Sequence, residues 1–308
     1  MDSTEGLDTL FHRAVSAIDA GDVATLELLL ATHPELTQER LDTPGAWLRE
    51  KVGGALDGFF QNPYLLWFVA EDPVRNGTLP GNIGQIACTI IKAAERDGAR
   101  SLQEQLDYAL RLVCWSWIAR ECGVQIELID VLVDAGASLD GRRVYQGHCG
   151  AHCDSAIFNG NFAAAEHLLE RGAPLTLSAA LCLGRWADVE RLTPTATLAE
   201  KQDAFVLAAL NGKAEALRRM LALSIDATTV SAQNYSHATA LHHAVCSGSI
   251  DAVKVLVEAG ADLTRRDTVY DGTPLGWAQH YQEEQKGKSR AKQFTEIAAY
   301  LREKGRQE

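Results

Sequence analysis

The residues best suited to chemistry lie in one short run, His148-Cys149-Gly150-Ala151-His152-Cys153-Asp154. Imidazole and thiolate are natural zinc ligands, and four of them fall within six positions. The spacing fits a structural zinc finger poorly, because no second paired set follows at the usual ~12–20-residue distance. A thiolate–imidazole pair of Cys149 with His148 or His152 would be nucleophilic, but neighbouring residues rarely reach the geometry that pair needs. His148, Cys149 and His152 therefore stand as metal candidates, and the expectation is no metal and no cofactor. A second group, Tyr235, His237, His243 and Cys246 with Tyr270, Trp277 and His280, mixes apolar area with polar tips, which suits either a binding face or local packing. A third comprises Arg120-Glu121 and Phe158-Asn159, of types enriched among interface anchors. Gly-x-Ser-x-Gly, His-Glu-x-x-His and Gly-x-x-x-x-Gly-Lys are all missing from the sequence.

The elements that must position these residues are helices. Residues 238–262 read ATALHHAVCSGSIDAVKVLVEAGAD, and a similar start, Asp271-Gly272-Thr273-Pro274-Leu275, follows. Leu241, Ala244 and Val245 share one helical face; Ala252, Val253, Leu256 and Val257 share another. Gly248 between them tolerates a left-handed turn. Thr239 and Thr273 are 34 positions apart, close to a ~33-residue solenoid period. The Thr-x-Leu-His-x-Ala start, the glycine between helices and the Gly-Ala-Asp end resemble the ankyrin repeat family. The resemblance is strongest over 237–279 and weakest over 34–100. It implies an all-α fold, an ankyrin-repeat α-solenoid of about seven to eight helix pairs with short hairpins and two insertions. It also implies that His242 binds backbone between loops, and that hairpin tips and first helices line a concave face holding another protein.

The chain has 308 residues, 46% hydrophobic, and a formal charge of −12. That balance argues against nucleic acid, which is bound by clustered Lys and Arg, and against an anionic membrane surface. No apolar run approaches the ~20 residues of a membrane span. The N-terminal residues show no secretory pattern, so a cytoplasmic protein is expected. The seven cysteines sit mostly in apolar helical patterns, as small hydrophobes rather than a disulfide framework.

Taken in order, residues 7–31 form a first helix pair. The insertion 34–63 carries Trp47, Phe59 and Phe60, which either pack back as satellite core or line a site. Tyr64–Ala70 reads as a degenerate first helix, 71–82 as a second irregular insertion, and Ile83–Glu95 as a second helix. Residues 102–120 read as one long helix, with Leu106, Leu110, Val113 and Trp117 on a stripe. Aligning Gly160 with Gly248 places Cys153 at the core position of Leu241 and leaves His148, Cys149 and His152 on a hairpin. The turn glycines Gly160, Gly184 and Gly212 are 24 and 28 apart, which implies trimmed hairpins there. One array is expected over 1–306, irregular over 7–137 and more regular over 138–306.

The leading functional expectation is a non-enzymatic protein-interaction module. Its candidate binding residues are Tyr145, His148, Phe158, Asn159, Arg120, Glu121, Tyr235, His237, Cys246, Tyr270, Trp277 and His280. The alternative is a small-molecule or metal site, possibly catalytic, in the groove under the 34–63 insertion.

Overall fold

The computed structural model describes residues 6–70, 77–141, 151–231 and 236–306. Among the described residues there are helices and no strands, and no helix is long and apolar enough to cross a membrane. The chain divides into two compact units, 1–174 and 175–308.

In unit 2 the pairs are α11 (Leu177–Cys182) with α12 (Trp186–Leu192), α13 (Leu198–Leu210) with α14 (Ala214–Ala222), α15 (Ala240–Ser247) with α16 (Ile250–Glu258), and α17 (Pro274–Glu284) with α18 (Ala291–Lys304). First helices pack in a row, α11 on α13, α13 on α15, α15 on α17; second helices do likewise from α14 through α16 to α18. The cause is the stripe on each helix. Leu241, Ala244 and Val245 of α15 and Ala252, Val253 and Leu256 of α16 are all buried. Each large apolar side chain so hidden stabilises the stack by roughly 1.5–3 kcal/mol relative to exposure. Gly248 ends α15 in the left-handed region at φ 76°, and Ser249 caps α16 by accepting from Ala252 N–H.

Unit 1 has the same two rows with one substitution. Its second helices are α2 (Val23–Thr32), α5 (Ile83–Arg96), α8 (Gln125–Asp134) and α10 (Phe162–Glu170), each packed on the next. Its first row runs from α1 (Leu7–Ala20) through a five-residue 3-10 helix, Leu65–Val69, to α6 (Leu102–Trp115) and α9 (His152–Phe158). All five residues of that 3-10 helix are completely buried. A short helix apolar on every side has no solvent face, so something must roof it. The 34–63 insertion does so, through α3 (Glu35–Gln38) and α4 (Ala46–Val52) and the segment after them. Phe60 is buried with its ring edge-on to Phe68 at 5.0 Å, and Phe59 meets Trp115 at 5.1 Å. Polar ties fix the roof. Asp8 accepts from Gly45 N–H at 2.7 Å and from the Trp47 indole at 2.8 Å, and Gln105 donates to the Thr37 carbonyl at 2.8 Å. Phe60 is thus core of unit 1, while Phe59 and Trp47 are half-buried around it.

The expected single helix over 102–120 is two. At Ser116 the backbone turns extended (ψ 121°), its hydroxyl caps α7 (Trp117–Glu121), and its carbonyl accepts from Gln125 Nε2 at 3.1 Å and Asn161 Nδ2 at 3.3 Å. Asn161 Nδ2 also donates to the Cys114 carbonyl at 2.9 Å, so carbonyls released by the break find buried partners. Leu106, Leu110 and Val113 are buried as the stripe requires, but the break turns Trp117, the fourth expected member, out to 53% exposure.

Candidate protein-interaction surface

In unit 2 the hairpin between α16 and α17 is built on Asp267. Its carboxylate accepts from the backbone N–H of Val269 (2.9 Å), Tyr270 (2.7 Å) and Gly272 (2.9 Å), and from the Trp277 indole N–H (2.9 Å). Burial pushes the Asp267 pKa up, but the Tyr270 N–H, the indole and the other two amides outweigh it and hold the carboxyl at about 2. Gly272 permits the close approach, because a Cβ there would lie 2.8 Å from Trp277 Cδ1. Thr273 caps α17 by accepting from Gly276 N–H at 3.1 Å, with Pro274 in the first turn, and this sets Trp277 at the start of the helix.

The preceding hairpin is tied to this one. Thr268 N–H donates to the His237 carbonyl at 2.9 Å. His242 Nδ1 takes the Thr239 N–H at 3.3 Å and hydroxyl at 2.8 Å, which leaves Nε2–H to donate to the Gly272 carbonyl at 3.1 Å. Burial lowers its pKa, against the upward pull of the Gly272 carbonyl and Asp267. His242 therefore has the backbone-bridging role expected of it.

Trp277 is the centre of a ring cluster. His242 lies 5.1 Å away, His237 6.1 Å, Tyr281 6.3 Å, and His243 and Tyr270 6.4 Å, centroid to centroid. His237 also meets Tyr270 nearly perpendicular at 5.9 Å. Cys246 Sγ is 3.2 Å from the Tyr281 hydroxyl, and His280 packs on the Tyr281 ring at 5.5 Å. Tyr270 is 74% exposed, the His280 side chain 75%, while Trp277, His237 and Cys246 are half-buried and His243 is buried. The structure thus gathers His237, Cys246, Tyr270, Trp277 and His280 around one face; Tyr235 lies outside the described residues. The arrangement offers shaped aromatic area. Asp267 already accepts four bonds and both nitrogens of His242 are engaged, so these two groups serve the hairpins. Sequence reasoning missed Asp267 and Tyr281. The signals were an acid five residues before a turn glycine, and a tyrosine one helical turn after Trp277.

The remaining candidates belong to unit 1. Arg120 is not a free surface cation: it donates to Asn161 Oδ1 at 2.8 Å, to the Asn159 carbonyl at 3.4 Å and to Glu121 at 3.0 Å. Phe158 closes α9, half-buried beside Asn159. Tyr145, His148 and Cys149 lie outside the described residues. His152 belongs to α9, not to a hairpin. It is 2% exposed, with Nε2 3.0 Å from the Ser138 carbonyl. Burial and the nearby Arg111 charge lower its pKa to about 4, against the Ser138 carbonyl, Asp107 and Asp140. Cys153 is core, as the alignment of turn glycines requires. No group of three or more His, Cys, Asp or Glu among the described residues is placed to hold a metal ion. Beside the insertion there is an open cleft of about 200 Å³ lined by His12, Asp19, Trp47, Glu50 and Lys51, where Trp47 stacks on His12 at 4.7 Å.

Paired helices in two rows, joined by hairpins that bond to one another, define a helical repeat protein. Residues 155–267 match the family model for ankyrin repeats in three copies. No curated protein matches the sequence. Among solved structures, the crystal structure of the human ASB11 ankyrin repeat domain is similar at 14% identity, covering 92% of this chain and 96% of that one. Its TM-score of 0.39 is too low to carry an argument.

Proposed function

We propose that this protein is a non-enzymatic interaction module, and that another protein docks on the unit 2 face formed by Tyr270, His237, Trp277, Cys246 and His280. Ankyrin repeats generally mediate protein–protein interaction, which supports the class of activity. One observation carries the choice of face. Tyr270 projects into solvent at 74% exposure while its own backbone N–H, and those of Val269 and Gly272, are anchored on Asp267. An exposed aromatic on a rigid loop loses little conformational freedom on binding, so its buried area converts efficiently into affinity. The test is quantitative affinity capture from extract of the native host, comparing the wild type with Tyr270→Ala. The specific partner should fall severalfold at unchanged circular dichroism. Equal recovery would remove this face from the account.

A further inference from the structure

We infer, building on the docking face just proposed, that its partner is a basic segment whose arginine or lysine side chain lies on the Tyr270 ring beside Trp277. Indole and phenol rings carry negative faces and attract cations within about 6 Å of the ring centroid. Here the attraction is reinforced, because the Trp277 N–H points into an ionised carboxylate and Asp267 so places a full negative charge against the ring edge. This chain uses the same contact repeatedly within itself. Arg40 sits over Tyr64 at 4.4 Å, Arg219 over Trp186 at 4.3 Å, and Arg290 over Phe294 at 5.2 Å. Among the described residues no Lys or Arg covers Tyr270 or Trp277, and Tyr270 is the most exposed large hydrophobic side chain.

Charges of both signs surround the ring. Asp271 beside Tyr270 is 81% exposed at its side chain, and Glu283 and Glu284 on α17 are 76% and 50% exposed. Nearby cations are already bound by the chain: Arg266 by the carbonyl and carboxylate of Asp271, Lys286 by Glu283, Arg290 by the carbonyls of Cys246 and Ser247. Arg265, on the same hairpin, has no carboxylate within ion-pair distance among the described residues and opposes the proposed partner. The chain as a whole carries −12. An incoming cation would meet an uncovered ring beside the Asp267 carboxylate, whose four bonds all come from neutral donors.

The experiment is selection of displayed random peptides of about twelve residues on the full chain, followed by titration of the winners as synthetic peptides. Enriched peptides should carry Arg or Lys in excess over Asp and Glu, and weaken severalfold at raised ionic strength. Tyr270→Phe should retain them, whereas Tyr270→Leu, which keeps apolar area without a ring, should cost about tenfold. Arg265→Glu should tighten them. Neutral or acidic winners that still depend on Tyr270 would overturn the basic segment and leave the docking face standing. Winners indifferent to Tyr270→Leu and Tyr270→Ala, or no enrichment over selection on Tyr270→Ala, would overturn both.

Discussion

Asp267 and Trp277 are joined by a 2.9 Å hydrogen bond from indole to carboxylate, and the same carboxylate holds the hairpin that carries Tyr270. The bond couples a loop to the helix that follows it. Replacing the acid leaves three amides and an indole without their acceptor.

Asp267→Ala should therefore destabilise the protein by about 2–3 kcal/mol, the cost of buried donors left unpaired. Chemical denaturation checks the size. Hydrogen exchange checks the place: the amides of Val269, Tyr270 and Gly272 should lose protection together. The pH dependence has a definite sign. The folded pKa, about 2, lies below the ordinary 3.8, so the contribution is complete above pH ~4 and disappears as pH falls from there through about 2.

His152 titrates in a different window. Its folded pKa of about 4 lies below the ordinary 6.5, so the neutral ring stabilises the fold fully above pH ~6.5, and that contribution is lost as pH falls toward 4. Between pH 7 and pH 5 the loss should amount to about 2 kcal/mol. His152→Leu removes the titration. Urea midpoints measured across that range should fall for the wild type and stay flatter for the variant; parallel slopes would contradict the assignment.

Asn161→Ala should cost about 2 kcal/mol. It frees the Cys114 carbonyl in a buried setting, leaves the Ser116 carbonyl to Gln125 alone and removes one of the acceptors of Arg120. Ser116→Ala, which removes only a helix cap, should cost about 1 kcal/mol. Thermal unfolding of the two variants should rank them in that order.

Phe60→Ala should cost about 3–5 kcal/mol, the range for an aromatic removed from a packed core. A value near zero would mean that the insertion is a detachable cover over the first row of helices.

Much of this structure was legible from periodicity. Helix stripes, turn glycines such as Gly248 and the core position of Cys153 are local patterns repeated down the chain, and repetition makes them readable. Ser116 shows the limit. The spacing Leu106, Leu110, Val113, Trp117 continues across it in the sequence although Trp117 is exposed in the fold, and the break depends on acceptor–donor pairs with Gln125 and Asn161, 9 and 45 residues away. The candidate face divides the same way. Its aromatic and imidazole residues stand out by type, but Asp267 looks like any turn acid until the Trp277 indole is seen to fall on it. Arg120 misleads for the opposite reason, since its partners sit one turn of the next helix pair away and sequence spacing does not reveal them.

The 3-10 helix Leu65–Val69 has a kinetic consequence. A plain repeat stack can nucleate at any rung and zip outward, because each rung needs only its neighbours. This rung cannot wait in water on its own: it depends on Phe60 from the insertion and on α1, α5 and α6 around it. Closing those distant contacts carries a loop-entropy cost before any of them is rewarded. The rung, the insertion and α1, α5 and α6 should therefore form together and open together, instead of fraying one helix at a time.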